Sequence, residues 1–150
     1  MKKSINEKEQ CVQTDVMQSV ILPNGLCIGN LFYRANKHTK ERLTIELTSS
    51  CIMDILHNGE NSSFIYKPIK ATEEELFKLG FEKVYDGNFK RYQINLLETN
   101  IYLRPSLDKW YFGFVNNGQD CEINDCYELE FIHEIQNLIF SLTRVSLTVA

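Results

Sequence analysis

The stretch from Glu128 to Leu142 carries apolar residues on two sides of a helical wheel. Leu129, Ile132, Ile139 and Phe140 share one stripe with Gln136, and Phe131, Ile135, Leu138 and Leu142 share another. A helix that is apolar on two sides must be buried, or lie between a sheet and a further element. Residues 84–127 offer the sheet. They alternate apolar and polar residues, which predicts strands over 89–96, 100–104, 110–115 and 122–127 in an antiparallel meander. Asn116-Asn117-Gly118 and Arg104-Pro105-Ser106-Leu107-Asp108 supply turns. Ahead of the meander, Thr72 followed by Glu75 reads as a capping box, and Gly80 as a left-handed stop against which Phe81 folds back. A short helix is therefore expected within 70–83.

Residues 20–69 read as a small barrel-like β region. Its expected strands are Val20-Ile21-Leu22, residues 26–33 with a bend at Gly29, the alternating Leu43, Ile45 and Leu47, Cys51 to Leu56, and Phe64-Ile65-Tyr66. Residues 1–19 have few apolar anchors and read as a flexible arm. The expected fold is α+β: a small barrel-like N-terminal region, a short capped helix, an antiparallel meander, and a C-terminal helix packed on the sheet. Residues 20–150 form one domain in this reading, with subdomains 20–69 and 70–150 packing as one unit.

With 150 residues and a net charge of −4, the chain lacks the overall basic field of a nucleic-acid binder, although local patches remain open. No run approaches the roughly 18 apolar residues of a membrane span. Five scattered cysteines, an odd number without a C-x-x-C pair, and the lack of a secretory leader point to free thiols in the cytoplasm.

His133-Glu134-Ile135-Gln136-Asn137 comes close to the H-E-x-x-H zinc motif, but a neutral amide stands where the second imidazole belongs. No metal or cofactor is expected, and neither a nucleophile elbow nor a phosphate loop occurs. His133, Gln136 and Asn137, three and four residues apart, can converge their polar tips. They do so either to lock the helix to neighbouring loops or to touch a small ligand. In the meander, pairing Arg91 with Arg104 and Gln93 with Tyr102 leaves Tyr92, Ile94, Ile101 and Leu103 on the other face. Tyr111 then falls beside Tyr102. Such a polar-aromatic face (Arg91, Tyr102, Arg104, Tyr111) can stack a base or hold a phosphate, or it can simply be solvated. Arg34, Lys37, Lys40 and Arg42 form a second basic cluster around a loop.

Three segments also carry a resemblance. They are Ile28-Gly29-Asn30-Leu31-Phe32, Thr72-Glu73-Glu74-Glu75-Leu76 with Leu79-Gly80-Phe81, and Phe131 to Thr143. In this order, over residues 26–147, the chain resembles a family of small proteins from phages and prophages of Bacteroides-type bacteria, whose C-terminal helix contains a similar H-E-L-Q-N-L. Arg144 departs from it, standing where the family has Gly, as does the long N-terminal arm. The resemblance implies a mobile-element accessory protein and brings no established reaction. The leading expectation is a non-catalytic binding protein that antagonises a host or defence process, by binding a protein or by sequestering a nucleotide. A nucleic-acid-binding module is the first alternative and an enzyme with a Cys/His centre the second. A homo-oligomer is compatible with each.

Overall fold

The computed structural model describes residues 25–97, 99–116, 119–122 and 128–149. The arm at 1–19 and the strand expected at Val20-Ile21-Leu22 lie outside them. The described chain is α+β, with two antiparallel sheets.

The first sheet contains β1 (Leu31–Asn36), β2 (Arg42–Glu46) and β3 (Phe64–Pro68), in the order β2-β1-β3. It is open, with three strands, and does not close into the expected barrel. The reason lies at Cys51 to Leu56, read as a strand but folded as helix α1 (Ser49–His57). Thr48 caps it, its hydroxyl accepting from Cys51 N at 3.3 Å. Cys51, Ile52 and Ile55 have the spacing of one helix face, and they pack with Phe32, Ile45, Leu47 and Tyr66 in a small core of their own. A short apolar run cannot be divided between strand and helix by periodicity alone, and the cap decides here. The strand expected over 26–33 begins only at Leu31, because Gly29 sits in a turn at φ +88°.

Helix α2 (Glu73–Lys78) follows the expected cap and stop. Thr72 Oγ1 accepts from Glu75 N, Gly80 takes φ +88°, and Phe81 N donates back to Leu76 O at 3.1 Å. The second sheet contains β4 (Glu82–Asp86), β5 (Phe89–Leu96), β6 (Thr99–Ser106), β7 (Lys109–Asn116), β8 (Gln119–Glu122) and β9 (Glu128–Leu129). Its order is β4-β5-β6-β7-β8, and β9 also pairs with β7. Strand β4 was not expected, and residues 123–127 of the strand expected at 122–127 lie outside the described residues.

Helix α3 (Ile132–Thr143) lies over the apolar face of this sheet. Its Ile132, Ile135 and Ile139 meet Tyr92, Ile101, Leu103, Trp110 and Phe112, while α2 contributes Leu76 and Leu79. Trp110 Nε1 donates to the buried Ala71 carbonyl at 2.9 Å, which fixes the segment before α2 to the sheet. The first sheet joins the same core through Leu31, with Tyr33 packed against it. Alternation along β1 explains the arrangement: Leu31 and Tyr33 face the main core, and Phe32 faces α1. At the end of α3, Arg144 has φ 62° and its N–H donates to Phe140 O. It adopts the left-handed stop that glycine would provide without strain.

Candidate functional site

The meander register is the expected one where it can be read: Gln93 pairs with Tyr102, Tyr92 with Leu103 and Ile94 with Ile101, while Arg104 pairs with Tyr111. Tyr102 nevertheless has only 2 % of its surface exposed. Its cross-strand partner is Gly113, and the ring lies over that glycine where a side chain would otherwise stand. The Arg91 guanidinium sits 5.1 Å from the ring centroid. Arg91, Tyr102 and Arg104 are all engaged within the protein. This face is thus built around a ring that the protein itself covers.

On α3 the polar tips of Gln136 and Asn137 converge, and they converge on the protein's own backbone. Gln136 is buried. Its Oε1 accepts from Leu31 N at 2.9 Å, and its Nε2 donates to Leu147 O at 2.7 Å and Gly29 O at 3.3 Å. Asn137 Nδ2 donates to Gly25 O at 2.9 Å, and its Oδ1 accepts from Asn30 Nδ2 at 2.8 Å. The Glu134 carboxylate accepts from Glu130 N and Phe131 N, closing the start of the helix. Gln136 and Asn137 therefore join the first sheet, α3 and the C-terminal segment, whereas His133 does not share in their hydrogen bonds.

His133 packs between the Phe32 and Phe131 rings, with centroids at 5.0 and 5.9 Å. Burial pushes its pKa below the usual imidazole value against the pull of Glu134. A depressed imidazole pKa means that the fold resists protonation. Stability is accordingly complete above the unfolded value of about 6.5 and declines as the pH falls below it. Urea unfolding at a series of pH values should show this decline for the native chain and a flatter profile for His133→Gln. The Lys83 ammonium holds the Glu73 carboxyl down to about 2, so Glu73 adds its own loss of stability only once the pH nears its unfolded value of about 4.5, and the decline above that belongs to the imidazole.

The second basic cluster is split between the two faces of the first sheet. Arg42 pairs with Ala35 and lies 3.6 Å over the Tyr33 ring, on the side opposite Arg34. Lys37 Nζ donates to Glu60 O, and Lys40 is exposed on the hairpin at φ 63°. Arg34 pairs with Tyr66 and Leu43, and its guanidinium lies 4.7 Å over the Phe64 ring.

Arg34 opens onto a cleft of about 430 Å³ between α1, β1 and β3. Its walls include Cys51, Asp54, Asn58, Ser62, Phe64 and Tyr66. Asp54 organises one wall. Its carboxylate accepts from Asn58 Nδ2 at 2.6 Å, Ser62 Oγ at 2.5 Å and Tyr66 Oη at 3.0 Å. Hydrogen bonds from Asn58 and Ser62 hold its pKa below the usual carboxylate range despite burial, with a further contribution from Tyr66. Burial and the same carboxylate keep the Tyr66 phenol protonated. Burial pushes the Cys51 thiol up, but hydrogen bonding to Thr48 and the Arg34 charge act against it, and the net shift is downward. Asp54 is thus occupied by three donors, whereas among the described residues no carboxylate pairs with Arg34.

Sequence reasoning singled out Arg34 and missed the other walls of the cleft. Thr48-Ser49-Ser50 as a helix start, and Asp54 and Asn58 one helical turn apart, were the available clues. None of the three histidines lines the cleft. Among the described residues, no group of three His, Cys, Asp or Glu side chains is placed to hold a metal, and no helix is long and apolar enough to cross a membrane. No protein-family model, curated protein or solved structure matches the chain.

Proposed function

We propose that the protein is a non-catalytic binding protein that holds a small anionic ligand in the cleft between α1, β1 and β3. One observation carries this reading: a half-buried guanidinium, backed by an aromatic ring, faces a cavity with no carboxylate partner among the described residues. Such a cation favours phosphate or carboxylate, which its planar fork can bind with two parallel hydrogen bonds. Phe64 and Tyr66 add ring surface, and the volume falls within the range of small-molecule sites. A nucleotide combines these chemistries in one ligand. The phage or prophage setting rests on the C-terminal resemblance. In that setting, sequestering a nucleotide signal is a route to antagonising a host defence.

Isothermal calorimetry with cyclic and linear nucleotides, and with inorganic phosphate as the minimal anion, tests the reading. At least one nucleotide should bind, and Arg34→Met should weaken it by roughly tenfold to a hundredfold, the range for a lost charged hydrogen bond. A flat titration across the panel, or binding indifferent to Arg34, would overturn it. Capture of a host protein by an Arg34-independent surface would point to the protein-partner form of the expectation instead.

A further inference from the structure

The charges that line the cleft limit the kind of anion it can take. Arg34 is the one cation among the described lining residues, and Asp54 is the one carboxylate. Tyr66 connects their two walls: it pairs with Arg34 across the β1–β3 ladder, and its Oη donates to the Asp54 carboxylate at 3.0 Å. The other two donors to Asp54, Asn58 Nδ2 and Ser62 Oγ, are as neutral as the phenol. Such bonds hold the carboxylate ionised without cancelling its charge. Lys37 lies outside the lining, with its ammonium donating to Glu60 O. The first turn of α1 reaches the cleft at Ser50 and adds the partial charge of a helix start, about half a positive charge. With guanidinium and carboxylate offsetting one another, about half a positive charge remains to meet an incoming ligand.

We infer that the phosphate held in the cleft is a diester carrying one negative charge, and that Asp54 is the residue that disfavours a terminal phosphate monoester. The inference rests on the reading of the cleft as a nucleotide site and adds the class of phosphate. A diester presents two free oxygens, the pair that the planar Arg34 fork can bind side by side, and its single charge is met by the guanidinium. A monoester at neutral pH brings a third free oxygen and nearly a second full charge. That charge finds no further cation among the described lining residues and is repelled by Asp54. The neutral lining groups, such as Ser50, Asn61 and Ser63, can donate to either form and do not tell them apart. The discrimination is therefore electrostatic.

For each common ribonucleoside, calorimetry on the full-length chain compares the 5′-monophosphate with its methyl ester. The two differ by one methyl group and one charge. In the native protein the methyl ester should bind about tenfold more tightly than its parent, the size of one added charge repulsion at an effective dielectric constant of about 20. Asp54→Asn should narrow that ratio to about twofold, chiefly by strengthening the monophosphate, because the opposing charge is gone. Arg34→Met should weaken both ligands. Thermal melting shows whether Asp54→Asn is folded; if it is not, the native comparison decides alone. A monophosphate that binds as tightly as its ester, and still depends on Arg34, would overturn the diester assignment and leave the nucleotide site standing. An unchanged ratio in folded Asp54→Asn would do the same. If neither member of any pair binds, the diester assignment falls, and with no binding among the cyclic nucleotides either, the nucleotide site falls with it.

Discussion

Gln136→Ala should destabilise the protein by about 3–5 kcal/mol, because it removes partners from two buried backbone groups at once, each costing roughly 1–3 kcal/mol when left unsatisfied. The Leu31 N–H would lose its acceptor and the Leu147 carbonyl its donor, in the only place where the first sheet, α3 and the C-terminal segment meet through a single side chain among the described residues. Gln136→Met separates hydrogen bonding from volume, since it fills much of the same space and makes neither bond. Both variants should lower the urea midpoint. Amide exchange at Leu31 should accelerate before exchange in the meander, because the link fails locally first. A change below about 1 kcal/mol in both variants would mean that water replaces the amide readily, and would remove Gln136 from the elements that hold the two sheets together.

Gly113→Ala is the second large effect, and its cause is steric. A Cβ at this position would sit 2.4 Å from Tyr102 Cζ and 2.6 Å from Cε2, distances that ring atoms cannot accept without moving. The ring is anchored at the sheet, and Arg91 lies over it. A single methyl therefore has to displace a buried side chain, at about 1–3 kcal/mol for overpacking of this kind. A double-mutant cycle identifies the mechanism. With Tyr102→Ala in place, Gly113→Ala should cost little or even help, since alanine is the less flexible residue in a strand. If the two substitutions were simply additive in thermal or urea unfolding, the ring would not be what keeps position 113 a glycine.

Much of the second sheet was legible because its alternation fixes which side chains face inward. Placing Tyr92, Ile94, Ile101 and Leu103 inward excludes a one-residue slip, and the observed register, with Gln93 opposite Tyr102, is among those that keep this alternation. The capped α2 and the buried α3 were legible for a similar reason, since cap chemistry and apolar stripes both act within a few residues of sequence. The burial of Tyr102 was not. Alternation gives the face a side chain points to, but not whether a facing glycine lets its ring lie flat. Helix α1 was lost to an apolar run that suits either period, and that error was one of the strand assignments on which the barrel reading rested. The cleft was hidden because its walls are separated in sequence: Arg34 on β1, Cys51 and Asp54 on α1, and Ser62 and Tyr66 on and before β3.

The bonds made by Asn30, Leu31 and Gly25 to Gln136 and Asn137 join residues 105 to 112 positions apart. A ribosome delivers the early half of that clasp well before the late half exists. Until α3 has been made, the Leu31 amide lacks its Gln136 acceptor, so this clasp can close only after α3 has joined the core that the two sheets share.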